Sequence, residues 1–304
     1  TALGEHAGLA VNHDPDAAVE VGQVDGVPIL LHPAVAAADL VLATGMVEPH
    51  QYAGFSGGAK TVVIGAGGEP IIRHTHGPDM LSQEGVRLGR IEDNPFRAFV
   101  DRAGELGGPD FCLNVTHGPQ GILGVAAGTP RAVVADLAGT ARDALAVEVD
   151  GLLADSGADT GFDAVVAGVG APKDANLYQA TRAATYVALG ARNPLREGGR
   201  LVVPATLPEG PGEGTGEQRF HDWLAGASDP ETLYAEMRAG YEAGAQRAFV
   251  VARVLRDHDI WITNSEAPEV VEACLMHPAP VVGDAVEPGS DVLVVPDALN
   301  TLIV

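Results

Sequence analysis

The chain has 304 residues, of which 46% are apolar, and its 41 acidic side chains outnumber 18 basic ones to give a formal net charge of −23. This apolar content can bury one large core or two medium ones, which excludes a disordered chain. The negative charge disfavours nucleic acids and anionic membranes as partners, because binding to phosphates relies on clustered Lys and Arg. With no apolar run of bilayer length, we expect a soluble, cytoplasmic protein.

The basic residues are unevenly chosen: sixteen are Arg, and only Lys60 and Lys173 are Lys. A chain that uses Arg almost everywhere could supply an ordinary surface cation with Arg. A Lys therefore indicates chemistry that a guanidinium cannot perform, such as nucleophilic attack by an amine. The two cysteines, Cys112 and Cys274, are far apart and predict neither a disulfide nor a zinc site, so we expect both to be buried.

Apolar runs that alternate with helical patterns predict an α/β protein with largely parallel sheets. We expect two α/β units of similar size, 1–150 and 151–304, with the active site in the cleft between them. The predicted strands are 27–31, 39–43, 164–167, 200–203, 260–263 and 292–295. The predicted helices are 95–106, 130–147, 174–189 and 230–256. The segment 208–217, which is Gly, Pro and Glu apart from one Thr, predicts an exposed, flexible loop within the second unit.

The densest group of reactive residues is EPHQYAGFSGGAKT at 48–61. A His precedes a Gly-rich loop, and Lys60 ends that loop as the only basic residue other than His before Arg73. His50, between Pro49 and the loop, is placed to act as a general base.

Three interpretations of this region compete. GFSGGAKT differs from a phosphate-binding loop by Ala59, which stands where the last Gly should let the backbone curl around a phosphate. Gly-x-Gly pairs at 65–67 and 168–170 offer only an incomplete dinucleotide fingerprint. His74 and His76 form an H-x-H pair, which in an extended segment would place both imidazoles on one face and, with His50, could bind a metal such as zinc or nickel.

The second lysine opens a further segment, GAPKDANLYQATR at 170–182. A strand is predicted to end in a Gly turn here, and Asp174 or Asn176 can cap the helix that follows. Gln179 and Arg182 lie at i and i+3 near the N-terminus of that helix, where a carboxylate is a natural ligand. Lys173 lies beside them, so we assign Gln179, Arg182 and Lys173 to substrate binding.

With His50, Lys60 and His76 the sequence resembles the nickel-dependent lactate racemase family, which uses a nickel-pincer nucleotide. The segment EPHQYAGFSGGAK followed by IIRHTHGPDM is similar to the family's catalytic segment. APKDANLYQATRA and AGAQRAFVVARVL are similar to its carboxy-terminal domain. The likeness runs from about Val11 to Val304.

The resemblance implies a racemase or epimerase of a small-molecule 2-hydroxy acid, dependent on cofactor-making enzymes. Lys60 would attach the nickel pyridinium-3,5-bisthiocarboxylic acid mononucleotide covalently, and His76 would ligate nickel. His50 would be one of two general bases that work while a hydride moves reversibly to the cofactor. The remaining cofactor-binding residues would be Tyr178, Ser56, Gly57 and Gly58.

The family also has an upstream segment with the second catalytic His and an Arg for the substrate carboxylate, and we expect no counterpart in this sequence. Arg182 stands where the lactate enzymes have Lys, and Ala59 where they have Arg, which leaves the identity of the hydroxy acid open. Two alternative functions remain: a zinc-type hydrolase that uses His50, His74 and His76, or a non-catalytic cofactor-binding module.

Overall fold

The computed structural model describes residues 4–118, 120–157 and 160–304. The first half begins with two 3₁₀ helices, Gly4–Leu9 and Pro15–Ala17. Its strands are β1 Val19–Val24, β2 Val27–Leu31, β3 Leu42–Met46, β4 Pro49–His50, β5 Gly54–Phe55, β6 Phe111–Gly118, β7 Gly121–Gly128 and β8 Ala146–Val147. Its helices are α1 Pro33–Ala36, α2 Lys60–Val63, α3 Glu69–Thr75, α4 Pro78–Leu81, α5 Pro95–Gly107, α6 Pro130–Leu145 and α7 Val149–Ser156.

The second half alternates strands and helices more regularly. Its strands are β9 Phe162–Ala167, β10 Leu195–Pro204, β11 Asp259–Thr263, β12 His277–Ala279, β13 Val292–Val295 and β14 Leu302–Ile303. Its helices are α8 Leu177–Ala188, α9 Thr215–Ala225, α10 Pro230–Ala239, α11 Gln246–Leu255, α12 Pro268–Ala273 and α13 Val282–Ala285.

A five-stranded, all-parallel sheet in the order β12-β11-β10-β9-β13 organises the second half. The chain moves from β9 outward through β10, β11 and β12, and then returns to place β13 on the other side of β9. The strand order therefore reverses between β9 and β13. In open α/β sheets, ligands bind outside the carboxyl ends of the strands at such a reversal.

A smaller sheet in the order β3-β6-β7 organises the first half, with β3 parallel and β7 antiparallel to β6. Side chains alternate between the two faces of a strand. Cys112 and Asn114 are buried on one face, while Leu42, Phe111 and Leu113 are exposed on the other. The three strands hold β4, β5 and α2 at one end of the sheet. The sheet therefore supports the 48–60 loop.

Contacts between the two halves cluster around α8 and α11. Tyr186 on α8 donates a hydrogen bond to the Pro49 carbonyl at 3.4 Å, and the Thr185 hydroxyl donates to Gln51 Oε1 at 3.2 Å. Arg253 on α11 donates to the Leu81 carbonyl at 2.7 Å. The last strand, β14, pairs with β8, so the end of the chain returns to the region where the first half ends. The division at residue 150 itself stays a prediction.

The α/β class with mostly parallel strands is confirmed, and so are most predicted elements. The 27–31 and 292–295 strands match β2 and β13 residue for residue, and the other strands differ mainly in their ends. The 39–43 strand starts only at Leu42, and the 174–189 helix starts at Leu177, where Asn176 Oδ1 accepts the Gln179 N–H at 3.0 Å. Helix α6 begins at Pro130 as predicted, but Thr129 makes no side-chain cap.

Two predictions in the second half are wrong. The 230–256 helix is two helices, α10 and α11, because Gly240 ends the first and Gly244 adopts a left-handed φ of 99° before the second. The 208–217 segment is not all exposed loop: Gly212 is buried and Thr215 begins α9. Both cysteines are buried and free, as predicted. Among the described residues, no helix has the length and apolar content needed to cross a membrane.

Asn94, the cap of α5, provides the first test of the fold. Its Oδ1 accepts the Arg97 N–H at 3.0 Å, and its Nδ2 donates to the carbonyls of Tyr52 at 2.8 Å and Arg90 at 2.9 Å. Because Asn94 is 1% exposed, Asn94→Ala should lower the free energy of unfolding by about 3 kcal/mol, which combines a lost cap with stranded buried groups. Urea denaturation measures this loss.

The matched control is Asp229, which caps α10 from an exposed position. Asp229→Ala should cost about 1 kcal/mol, as an ordinary cap does. Equal losses in the two variants would show that Asn94 does not hold the loop.

Candidate active site

The loop that links β3 to α2 is fixed by its own backbone contacts. The Ser56 hydroxyl donates to the Met46 carbonyl at 2.7 Å and accepts the Glu48 N–H at 2.9 Å. Gly57 and Gly58 then adopt left-handed φ values of 76° and 60°. A Cβ at Gly57 would lie 2.7 Å from Val47 Cγ2, so larger residues do not fit. These turns deliver Lys60 to the first position of α2.

Three buried polar side chains from outside the loop hold it in place. Arg97 donates to the carbonyls of Ala53 at 3.3 Å, Gly57 at 3.5 Å, and Phe55. Asn94 donates to the loop as described above, and Asn114 Oδ1 accepts the Gly58 N–H at 3.0 Å. The loop therefore has a defined shape that does not depend on a ligand.

The Arg97 guanidinium is 2% exposed, and its Nη1 lies 3.7 Å from Asp101 Oδ1. Burial lowers the pKa of Arg97 and raises the pKa of Asp101. The ion pair and the three carbonyl contacts together compensate the cost of burying this charge.

His50 presents one ring nitrogen to the site. Its Nδ1 accepts the backbone N–H groups of Tyr52 and Ala53, both at 3.2 Å. In the neutral ring the proton therefore lies on Nε2, which can donate to a substrate oxygen. Burial, followed by the charges of Lys60 and other cations, holds the pKa of His50 well below its usual value. For His50 to act as the predicted base at Nε2, the ring proton would have to move from Nε2 to Nδ1. Nδ1 would then give up these two contacts.

His76 has the opposite tautomer. The Thr75 hydroxyl donates to the Ile71 carbonyl at 2.7 Å, so its oxygen accepts the His76 Nδ1 proton at 2.9 Å. The free lone pair of His76 is therefore on Nε2. A metal-binding imidazole commonly donates its other nitrogen to a neighbouring acceptor in this way. Burial lowers the pKa of His76 to about 3, which keeps the ring neutral.

The H-x-H prediction of a shared face is wrong, because His74 lies in α3 and His76 is the C-cap residue of that helix. Residues two apart on a helix point in different directions. His74 packs against Phe99 with ring centroids 4.4 Å apart, whereas His76 packs against Phe96 at 5.3 Å. Within the described ranges, no group of three or more His, Cys, Asp or Glu side chains could hold a metal ion.

The two buried histidines share aromatic neighbours. The Tyr52 ring lies edge-on to His50 at 5.5 Å and to His76 at 5.6 Å between centroids. Phe96 lies 6.3 Å from His50 and 5.3 Å from His76. The structure therefore brings His50 and His76 around one apolar wall, as their predicted common site requires.

Lys60 lies close enough to both histidines to lower their pKa values. Burial and the charges of Arg97 and Arg182 lower the pKa of Lys60 itself to about 8. Among the described residues its amine has no carboxylate oxygen within 4.0 Å. An amine with a lowered pKa and no ion pair is suited to nucleophilic chemistry.

Helix α8 supplies the opposite wall. Arg182 Nη2 donates to the Tyr186 hydroxyl at 3.0 Å, and Nη1 donates to Gln179 Oε1 at 3.4 Å. Because Tyr186 contacts Pro49, this network links Arg182 to the strand that carries His50. Gln179 and Arg182 therefore lie together, as their spacing predicts.

A second, deeper arginine positions α8. Arg247 on α11 is 3% exposed and donates to the Tyr178 carbonyl at 2.7 Å and to the hydroxyls of Thr181 and Thr185, both at 3.3 Å. Its guanidinium also lies over the Tyr178 ring at 5.4 Å. Burial lowers the pKa of Arg247 to about 10. Tyr178 is thus held from behind by a buried cation.

Lys173 follows β9 at the point where the strand order reverses. The Ala298 N–H after β13 donates to the Gly168 carbonyl after β9 at 2.9 Å, which closes this edge of the sheet. Burial and the charge of Arg182 lower the pKa of Lys173, and Glu48 and Asp297 act against this shift. Lys173 and Arg182 are therefore neighbours at the position where an open α/β sheet binds its ligands.

The cations divide into two groups. Among the described residues, every Arg except Arg182, Arg247 and Arg253 has a carboxylate oxygen within 4.0 Å, and neither lysine has one. In a protein with a net charge of −23, the cations without acidic partners lie where the two halves meet. This arrangement favours an anionic ligand.

The structure also bears on the two nucleotide-loop interpretations. In the phosphate-loop interpretation the Gly58 N–H would face a phosphate, but it is already bonded to Asn114. Gly65 and Gly67 follow helix α2 rather than a strand, and α8 begins seven residues after Gly170. Neither Gly-x-Gly pair has the strand–turn–helix arrangement of a dinucleotide site.

Sequence reasoning missed Arg97, Asn114, Tyr52 and Arg247. Asn94 was recognisable as a cap, and Arg97 lies three residues after it. Nothing in the pattern distinguishes Arg97 and Arg247 from the paired surface arginines, because burial between distant segments is a property of the fold.

Lys60 should titrate near pH 8 in the folded protein, because its pKa is lowered to about 8. Only the neutral amine is nucleophilic, so at pH 8 about half of Lys60 is reactive, against less than about 1% of an unperturbed lysine. Acetylation with acetic anhydride across pH, quantified by peptide mass spectrometry, measures the midpoint. The control is Lys60 in the urea-unfolded chain, and equal midpoints in both states would contradict the prediction.

Arg97→Met should lower the free energy of unfolding by about 3 kcal/mol or more, because it leaves loop carbonyls and Asp101 without their partner. It should also move the acetylation midpoint of Lys60 above pH 8, since the charge of Arg97 lowers the pKa of Lys60. The control is Arg102→Met on the exposed side of the same helix, where the partner is Asp25. An unchanged Lys60 midpoint in Arg97→Met would show that Arg97 does not act on the amine.

Comparisons with known proteins agree with the fold. Residues 7–89 match the lactate racemase N-terminal domain, and residues 159–303 match the lactate racemase C-terminal domain. The lactate racemase of Thermoanaerobacterium thermosaccharolyticum is 26% identical over 279 residues, which are 88% of this chain and 62% of that protein. The lactate racemase of Lactiplantibacillus plantarum is 26% identical in an alignment of 312 positions that covers 97% of this chain and 69% of that protein.

Solved structures support the same fold. The lactate racemase apoprotein from T. thermosaccharolyticum superposes with a TM-score of 0.82 at 24% identity, over 96% of this chain and 70% of that one. A protein from Thermotoga maritima superposes with a TM-score of 0.70 at 15% identity, over 97% of this chain and 77% of that one. The chain spans 62% and 69% of the lengths of the two curated relatives. With both domain types matched in order along its length, the chain belongs to the lactate racemase family.

Proposed function

We propose that the chain is the larger part of a racemase or epimerase that acts on a 2-hydroxy acid. The observation that carries this proposal is the Lys60 amine, which has a lowered pKa and lies beside two neutral histidines and Arg182. The two relatives described above are named lactate racemases. Arg182 replaces a family lysine, so the acid need not be lactate.

The donor set of the site fits a nickel-pincer nucleotide. His76 offers an unprotonated Nε2 with its Nδ1 proton bonded to Thr75, which suits a borderline metal such as nickel. Lys60 offers the amine for covalent attachment, and we assign Tyr178, Ser56, Gly57 and Gly58 to binding the rest of the cofactor. When bound, the group supplies the acceptor for the substrate's hydride.

We assign the substrate carboxylate to Arg182, Gln179 and Lys173. Arg182 keeps Nε and part of its Nη donors free, since its two hydrogen bonds go to Tyr186 and Gln179. A guanidinium can bind a carboxylate through two parallel N–H donors, which fixes the orientation of the acid as well as its position. Lys173 adds a compact second charge at the edge of the sheet.

We assign proton exchange with the substrate's hydroxyl oxygen to His50. Its Nε2–H can donate, and Nε2 can act as a base once the ring proton has moved from Nε2 to Nδ1, which must then give up its two backbone contacts. His74 does not share the site, so the zinc-type hydrolase has no third histidine and gains no support. A cofactor-binding module without catalysis remains the second candidate, because the chain spans only part of its relatives' length.

Intact-mass spectrometry tests the attachment. Protein co-expressed with the cofactor-making enzymes should carry the added mass of the nucleotide and about one nickel per chain, as one attachment site and one ligating His imply. Lys60→Arg should carry neither, because a guanidinium cannot replace the amine. Lys173→Arg, the only other lysine change the chain offers, should keep the added mass.

The same preparations separate the two candidates. Interconversion of the enantiomers of a 2-hydroxy acid by the loaded chain, lost in Lys60→Arg, would support the racemase. Added mass without interconversion would favour the cofactor-binding module. Retention of the adduct in Lys60→Arg would overturn both.

A further inference from the structure

A second cleft of about 410 Å³ lies where the two halves meet, on a different set of residues from the site above. Its walls are the Gln51–Tyr52 turn, the end of α4, the end of α8 and one face of α11. The lining includes none of His50, Lys60, His76, Gln179 or Arg182. Tyr52 is the one residue that lines this cleft and also contacts both histidines of the site.

The charge of this cleft is unusual for the protein. Arg253 lines it and, within the described ranges, is one of the three arginines without a carboxylate oxygen within 4.0 Å. Arg87 also lines it, and its Nη2 lies 3.9 Å from Glu84 Oε1. Glu84 is the only acidic residue among the lining residues. The lining of the cleft therefore has two guanidiniums and one carboxylate, although acids outnumber bases in the chain as a whole.

Arg253 is also held in position. Its Nη1 donates to the Leu81 carbonyl at 2.7 Å, which leaves donors on Nε and Nη2. Burial lowers the pKa of Arg253, and the charges of Arg87 and Arg256 act in the same direction. Among the described residues, no carboxylate oxygen within 4.0 Å offsets the charge of Arg253. Neutral polar side chains, Gln51, Ser82, Gln83 and Asn193, also line the cleft.

We propose that this cleft binds a small molecule with two or more anionic groups, held by Arg253 and Arg87. Arginine is suited to the task because its planar donors match both phosphate and carboxylate oxygens. Phosphate and carboxylate share this chemistry, and the cleft is large enough for a compact polyanion but not for an extended chain. The inference does not depend on the proposed racemase activity.

Calorimetric titration of the cofactor-free protein with inorganic phosphate at low ionic strength tests the proposal. The background is Arg182→Met, which removes the guanidinium that could bind phosphate in the other site. We expect one binding site per chain, and at least a tenfold weaker affinity after Arg253→Met is added, because charged hydrogen bonds are lost. A parallel titration with citrate shows whether phosphate or carboxylate groups are preferred.

Two further variants make the result decisive. Arg87→Met is the second test, because the ion pair that it removes, with Glu84, lies within the first half; it should also weaken binding severalfold. Arg256→Met is the matched control, since Arg256 ends the same helix but pairs with Glu231 on the surface; binding should change less than about twofold. Absence of phosphate and citrate binding, or binding that Arg253→Met and Arg87→Met both leave unchanged, would overturn the proposal.

Discussion

The candidate site depends on one buried charge, the guanidinium of Arg97. Removing a cation from water is costly unless it is paired and hydrogen-bonded, and Arg97 meets that cost with Asp101 and the carbonyls of the 53–57 turn. Helix α5 and the loop therefore stabilise each other. Without the loop, the Arg97 charge would be buried without its carbonyl partners, and without Arg97 the loop carbonyls would lack hydrogen-bond donors. Because β4 and the start of α2 are the two ends of this loop, the same contacts set where His50 and Lys60 lie.

The distribution of charge then determines the chemistry. The outer arginines pair with the abundant acids, and such exposed pairs add little stability. Burial lowers the pKa values of Lys60, Lys173 and the two histidines, and neighbouring cations add to this effect: Lys60 acts on both histidines, and Arg182 acts on Lys60 and Lys173. A strongly acidic protein thus contains a cationic centre that keeps its imidazoles neutral, with the His50 proton on Nε2 and the His76 lone pair on Nε2.

Much of this was accessible from sequence, for identifiable physical reasons. Strands and helices with regular apolar periods, the Pro at the start of α5 and the Gly-rich loop before Lys60 are local signals, and they predicted the α/β class and the group of His50, Lys60 and His76. The errors arose where a local sequence pattern was compatible with two structures. H-x-H suits a strand or a helix, and only the fold shows that His74 faces Phe99 while His76 faces Phe96. The amphipathic pattern over 230–256 continued across Gly240 and Gly244, where backbone conformation ends one helix before the next begins. Arg97 and Arg247 were not predictable, because their burial depends on segments distant in sequence.

The cations that favour an anionic ligand also keep the pKa of His50 low until that ligand binds. After burial, the charges of Lys60, His76 and Arg182 contribute to the low pKa of His50, in that order. Covalent use of the Lys60 amine would remove its positive charge, and a carboxylate at Arg182 would offset another. Each change raises the pKa of His50 and thereby favours a ring that can accept a proton. On this reasoning Arg182 affects more than the recognition of the carboxylate. The guanidinium of Arg182 is permanently charged, so it lowers the pKa of His50 more consistently than an amine could. Proton transfer at His50 therefore depends more on a bound acid whose carboxylate neutralises the charge of Arg182.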